Sequence, residues 1–131
     1  MKKKMVALLA AAVMLVSLLP AAFAADTMDE AAFRSAVAAG GTVTMTGDVT
    51  LTGALTIDKA VTIDGTASKY SITYNGSGAA INTQSNDVLI LKNLTLNAAA
   101  SGGRGVEMFG SSPVITVDGC TLNVNNRGIG T

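Results

Sequence analysis

Three charged residues occupy one position of a repeated pattern along this chain. Asp64 stands in VTIDG (61–65), Lys92 in LILKN (89–93) and Asp118 in ITVDG (115–119). Stacked in a column, two carboxylates and an ammonium could hold Ca²⁺ or the carboxylate of a uronic acid. The competing reading is an exposed ladder in which opposite charges alternate. Exposed pairs of that kind contribute at most about 1 kcal/mol each, and a lysine between two acids opposes a cation site. Arg104 and Arg127 form a second pair, each followed by Gly and then an aliphatic residue. Such an arginine column could grip an anionic sugar, or it could be a solvated loop edge.

Other chemistry is sparse. The chain has no His and no Trp, so it lacks the commonest general base and metal ligand. Cys120 is the single cysteine. It aligns with Leu94 and is expected to point inward as a small apolar residue, because nothing in its surroundings suggests a reactive thiolate. Thr44, Thr50, Thr56 and Thr62 face outward at six-residue spacing. Regular threonine rows can bind ice, but successive six-residue units fall on different sheets, so these four make no single flat array. Asn75 and Asn93 begin glycosylation sequons, to which no weight is given. No cofactor is implied.

The elements that would position these residues follow from periodicity. Lys2, Lys3 and Lys4 precede an apolar run from Met5 to Leu19, Pro20 breaks it, and Ala22-Phe23-Ala24 supplies small residues at the positions a signal peptidase reads. The run is about fifteen residues, short of the roughly 20 that span a bilayer. Residues 1–24 are therefore expected to be a secretory signal cleaved between Ala24 and Ala25, and contact with a membrane is expected only during export. Without it the chain keeps six basic residues and all nine acids, 6 − 9 = −3. No basic field remains to attract nucleic acid.

Residues 25–41 are expected to form a capping helix. Thr27 and Glu30 have the spacing of a capping box. Phe33, Ala36, Val37 and Gly40 line one face, and Gly40-Gly41 stops the helix. From residue 42 the period changes. TVTMTG, DVTLTG, ALTIDK and AVTIDG each place apolar residues at their second and fourth positions, the alternation of very short strands joined by bends. A longer repeat follows. VLILKNLTLN (88–97) and VITVDGCTLN (114–123) lie 26 residues apart, and VTIDG precedes ITVDG by 54. Periods in this range mark solenoids.

Because the apolar phase is the same in every copy, parallel stacking is expected, with coils about 4.8 Å apart. The assigned sheets are Leu55–Ile57 with Ala79–Ile81, Gly105–Met108 and Gly128–Gly130; Val43–Met45 with Val61–Ile63, Leu89–Leu91 and Ile115–Val117; and Val49–Leu51 with Ser71–Thr73, Leu94–Leu96 and Cys120–Leu122. Gly65, Asn93 and Gly119 align just after a strand. Gly and Asn enter the left-handed backbone region cheaply, so this column is expected to turn a corner in every coil. The fold class is thus all-β: a single-stranded parallel β-helix of three short parallel sheets and about three and a half coils over residues 42–131. The sequence ends as a new strand starts at Gly128, so a longer natural protein, truncated here at its C-terminus, is expected.

A short helix, then GGTVTMTGDVTLTGALTIDKAVTIDG, then coils ending in LKNLTLN, resembles the start of pectin-lyase-fold proteins. The resemblance is greatest to the large bacterial surface and adhesin-like members, and it covers residues 27–131. It implies a right-handed helix. Lyases of that fold use clustered carboxylates with basic partners, and its hydrolases carry Asp pairs on adjacent coils with a His–Gly element. This chain matches neither pattern, so no catalytic residue is assigned. The expected function is that of a secreted or cell-surface, non-enzymatic adhesin-like scaffold contacting polysaccharide or a host surface. The alternative is the N-terminal part of a polysaccharide lyase or glycoside hydrolase whose active site lies beyond residue 131. Fold alone does not decide between them.

Overall fold

The computed structural model describes residues 26–84 and 87–131. The expected signal segment and the Ala24–Ala25 junction lie outside the described residues. One helix, α1 (Glu30–Ala39), opens the described chain. Twelve strands follow: β1 Gly41–Thr44, β2 Val49–Leu51, β3 Leu55–Ile57, β4 Val61–Asp64, β5 Ser71–Tyr74, β6 Gly78–Thr83, β7 Val88–Lys92, β8 Thr95–Ala98, β9 Gly103–Met108, β10 Val114–Asp118, β11 Thr121–Val124 and β12 Ile129–Gly130. Every third strand enters the same sheet. Sheet I has the order β1-β4-β7-β10, sheet II β2-β5-β8-β11 and sheet III β3-β6-β9-β12. All pairings between these strands are parallel. The chain therefore winds as a three-sided parallel β-solenoid.

Each six-residue unit is one side of a coil. The four units supply β1, β2, β3 and β4 in turn, one sheet after another and back to the first. Val49 and Leu51, Leu55 and Ile57, and Val61 and Ile63 are buried, while the threonines between them face outward. The interior is a continuous aliphatic column in which Ile63, Ile72, Ile81, Leu89, Leu91 and Leu96 are completely buried. Burying one such side chain stabilises by about 1.5–3 kcal/mol, and no coil could bury its set without a neighbour above or below.

Helix α1 closes the start of this column. Phe33 and Val37 are buried in the core, and Ala36 packs against it. The helix begins differently from the expected capping box. Asp29 is the N-cap, its carboxylate accepting from the Ala32 N–H at 3.0 Å. Thr27 instead forms an isolated parallel bridge with Asp48, so its backbone serves a sheet edge. Gly47 allows this approach, since a Cβ there would lie 2.6 Å from the Thr27 nitrogen. Glu30 does not reach back to the N-cap. It accepts from the Thr52 N–H at 2.7 Å and the Thr52 hydroxyl at 2.9 Å. Arg34 pairs with Glu30 at 3.0 Å and donates to the Ala54 and Gly53 carbonyls. The cap is latched to the first coil by polar contacts as well as by its apolar face.

Two registers differ from expectation by two residues. Val43 lies beside Ile63, not Val61. Leu55 lies beside Ile81 and Ile57 beside Thr83, so the strand expected at Ala79–Ile81 extends over Gly78–Thr83. A slip of two preserves which side chains face inward, so alternation alone cannot detect it. Its consequence is Thr83, fully buried at a core position with no hydrogen-bond partner for its hydroxyl. In sheet II the strands begin at Thr95 and Thr121, one residue after the expected Leu94 and Cys120.

The corner column also needs correction at one position. Asn93 (φ 51°) and Gly119 (φ 64°) are left-handed, but Gly65 is not, and Thr66 (φ 65°) takes that role in its coil. Gly65 is required for close approach: a Cβ there would collide with the Asn93 carbonyl oxygen and lie 2.7 Å from the Leu94 Cβ. The extra residues after Gly65 form a small loop, bonded from Lys69 N–H to the Thr66 carbonyl at 3.0 Å. That loop moves the bend one residue along.

Candidate functional site

The parallel register assembles the charged column. Asp64 lies beside Lys92, and Lys92 beside Asp118, at the outer ends of β4, β7 and β10. Assembly does not make it a site. Asp64 is committed to the corner, where its carboxylate accepts from the Thr66 N–H at 2.8 Å and faces the Asn93 amide at 3.5 Å. Lys69, from the loop after Gly65, donates to the Gly119 carbonyl at 2.8 Å. None of the column's members pairs with another: the ion pairs among the described residues are Arg34–Glu30 and Arg104–Glu107. No group of three His, Cys, Asp or Glu side chains among the described residues could hold a metal ion.

Arg104 and Arg127 also come together. Ile129 pairs with Val106, and the Gly105 N–H donates to the Arg127 carbonyl at 2.8 Å, which sets the two arginines on adjacent coils. Arg104 is already engaged by Glu107 at 2.7 Å. Its Nε is buried without a partner. Strict alternation would place residues 104 and 107 on opposite faces. The alternation breaks at Gly105-Val106, which are buried in succession, so that the outward residues on either side of them, Arg104 and Glu107, can pair. Arg127 lies over Gly130, with Nη1 3.2 Å from the place a Cβ would take.

Cys120 packs half-buried against the core, with its thiol 3.4 Å from the Asp118 carbonyl. On the outside of sheet I, Gly41, Thr42, Ala60, Val61, Thr62, Val88 and Ile90 line a shallow depression of about 220 Å³.

The outer face of sheet II carries rows that the sequence displayed only as a repeated TLN. One row is Ser71–Thr95–Thr121, and the other is Thr50–Thr73–Asn97–Asn123. The second row is hydrogen-bonded from Asn123 to Thr73. Asn123 Nδ2 donates to Asn97 Oδ1 at 2.8 Å, and Asn97 Nδ2 donates to Thr73 Oγ1 at 3.3 Å. The signal for this ladder was the identity of Asn97 and Asn123 at a 26-residue offset.

Among the described residues one group, Glu30, has a shifted pKa. The Thr52 backbone N–H, with the Thr52 hydroxyl and Arg34, holds the Glu30 carboxyl below its ordinary value of 4.5 against the opposing effect of desolvation. This group belongs to the latch of the capping helix. No protein-family model, curated protein or solved structure matches this chain.

Proposed function

We propose that this chain is the scaffold of a secreted or cell-surface β-helix, adhesin-like in character, that contacts carbohydrate or a host surface through its outer faces. Its resemblance in sequence to surface members of the pectin-lyase fold supports this reading, as does the export pattern of residues 1–24. The observation that carries it is the regular display of outward side chains. Parallel coils hold equivalent residues side by side, so the solenoid presents straight rows of outward side chains on its three faces, with Thr95 beside Thr121 and Asn97 beside Asn123 on sheet II. Such rows suit extended, repetitive partners better than a small molecule in a pocket.

The test is a binding screen of the purified protein against immobilised neutral and acidic glycans and whole host cells, with product release followed in parallel. Saturable binding without new reducing or unsaturated ends is expected. Absence of binding to every surface, or turnover of a polysaccharide, would refute the proposal. Export is checked separately by N-terminal sequencing, with Ala25 expected as the first residue.

A further inference from the structure

Arg104-Gly105-Val106-Glu107 and Arg127-Gly128-Ile129-Gly130 are one four-residue pattern in two successive coils, 127 − 104 = 23 residues apart. The register sets Ile129 beside Val106 and Gly130 beside Glu107. In both copies the guanidinium turns toward the residue three positions on. In the first copy that residue is an acid, and Arg104 Nη1 meets Glu107 Oε1 at 2.7 Å. In the second it is Gly130, and Arg127 lies over it with Nη1 3.2 Å and Cζ 3.4 Å from the place a Cβ would take. Arg127 makes no ion pair and no side-chain hydrogen bond among the described residues. The fold does not ask for glycine at 130. Its φ is not left-handed. The atoms nearest its missing Cβ all belong to the Arg127 side chain, whereas a Cβ on Gly103 or Gly105 would strike the Ala98 or Gly128 carbonyl oxygen. The second copy thus keeps the guanidinium and lacks the carboxylate that faces it in the first.

We propose that Arg127, over the bare floor of Gly130, binds the carboxylate of an acidic sugar, a uronate in a polysaccharide lying on the outer face of sheet III. This rests on the carbohydrate-contacting reading above and names the face and the class of ligand. Glu107 shows what a carboxylate does beside an arginine on this face, and the ligand's carboxylate does the same one coil on. The charges leave room for it. The strands of sheet III hold two charged residues, Arg104 and Glu107. These neutralise each other, so the positive charge of Arg127, just before β12, is left over. A guanidinium presents a planar fork that takes a carboxylate by two parallel hydrogen bonds, and Gly130 keeps clear the space in which the acid must sit. Beside Glu107 lies Asn82, and beside Asn82 lies Thr56. Their side chains make no hydrogen bond among the described residues and supply donors and acceptors for sugar hydroxyls. An acidic peptide fits less well. The backbone groups of β6 and β9 are used in parallel pairing on both sides, so the middle of this face offers a peptide no strand edge.

The experiment titrates the protein with hexagalacturonate and hexaguluronate, with xylohexaose as the neutral comparator and hexaglutamate as the acidic peptide, read by NMR shifts and calorimetry. Arg127→Gln removes the charge. Gly130→Glu supplies the missing acid from within the chain, so that Arg127 is satisfied as Arg104 is. Lys92→Gln on sheet I is the control, and thermal unfolding of each variant reports folding. At least one uronate hexamer is expected to bind, with shifts centred on Glu107 and residues 128–130. Affinity should fall about fivefold or more in Arg127→Gln, the size of an exposed ion pair. It should fall at least as far in Gly130→Glu and stay unchanged in Lys92→Gln. Equal affinity in Arg127→Gln or in Gly130→Glu would overturn the site, as would hexaglutamate binding as tightly as the better uronate. If xylohexaose binds and neither uronate does, the site falls while the carbohydrate-contacting function stands; if no glycan binds, both fall.

Discussion

Leu91 and Ile90 are adjacent in β7, and their substitution should separate the inside of the solenoid from the outside. Leu91 is completely buried between Ile63 on one side and Val117 on the other. Leu91→Ala is expected to destabilise by about 2–5 kcal/mol, combining lost transfer energy with an unfilled cavity that neighbours in stacked coils cannot collapse into. Leu91→Asp leaves an unpaired carboxylate in the aliphatic column at a cost of several kcal/mol. A domain of this size has about 5–15 kcal/mol in total, so the Asp variant is expected to be largely unfolded. Ile90 has the opposite parity and is half-buried in the depression on sheet I. Ile90→Asp should cost about 1 kcal/mol, since only part of its apolar surface leaves water. Urea unfolding followed by circular dichroism, with unchanged slope, measures both. Equal midpoint shifts for Leu91→Asp and Ile90→Asp would refute the register and with it the face assignments.

Gly119→Val should destabilise by more than about 1 kcal/mol, because a β-branched residue resists the left-handed region, whereas Gly119→Asn should be tolerated once the Asn93 side chain, 2.9 Å from the new Cβ, turns aside. Gly65→Asn should be as damaging as Gly65→Ala, since there the obstacle is the Asn93 carbonyl and not φ; tolerance of Asn alone in chemical denaturation would show that the corner is left-handed after all. The lowered pKa of Glu30 predicts that its contribution to the helix latch is present above its unfolded value of 4.5 and is lost as pH falls through the depressed folded value. Glu30→Gln should flatten that acid dependence, read as amide exchange in α1. Exchange should also be graded along the axis, slow at Val61–Ile63 and faster after Gly105, and the isolated polypeptide should self-associate through its last coil, where Val114 is 52% and Ile129 38% exposed. Uniform protection in a strictly monomeric protein would contradict this.

Much of the fold was legible because a solenoid turns structure into repetition. Each six-residue unit had to be one side of a coil, since a hairpin would reverse the phase of the next apolar pair. What stayed hidden were features with the same parity or the same residue type. Val43 beside Val61 and Val43 beside Ile63 give the same inward pattern, so only packing against α1 and the lengths of the corners could choose between them. The same slip concealed Thr83, which occupies a core position that an aliphatic residue would be expected to fill. Gly65 has the residue type of a left-handed corner, yet its missing side chain answers to a steric contact, and Thr66 holds the positive φ. The pairing of Arg104 with Glu107 depends on the successive burial of Gly105 and Val106, which strict alternation excludes.

The candidate site was less legible than the fold because charge drew attention first. Asp64, Lys92, Asp118, Arg104 and Arg127 are the groups whose chemistry is easiest to name, and the structure does bring them together in columns. Their contacts are local, however: Asp64 holds a corner and Arg104 is held by Glu107. In a stacked repeat the more informative question is which outward positions stay the same when nothing in the core requires it. An inward residue needs only to be apolar and of suitable volume, so Leu89 can face Ile115 and Leu91 can face Val117. Outward residues need only suit a strand, so Ile90 can face Thr116. Against that freedom, the repeat of Asn97 as Asn123 on sheet II has a physical reason, the hydrogen bond between their side-chain amides.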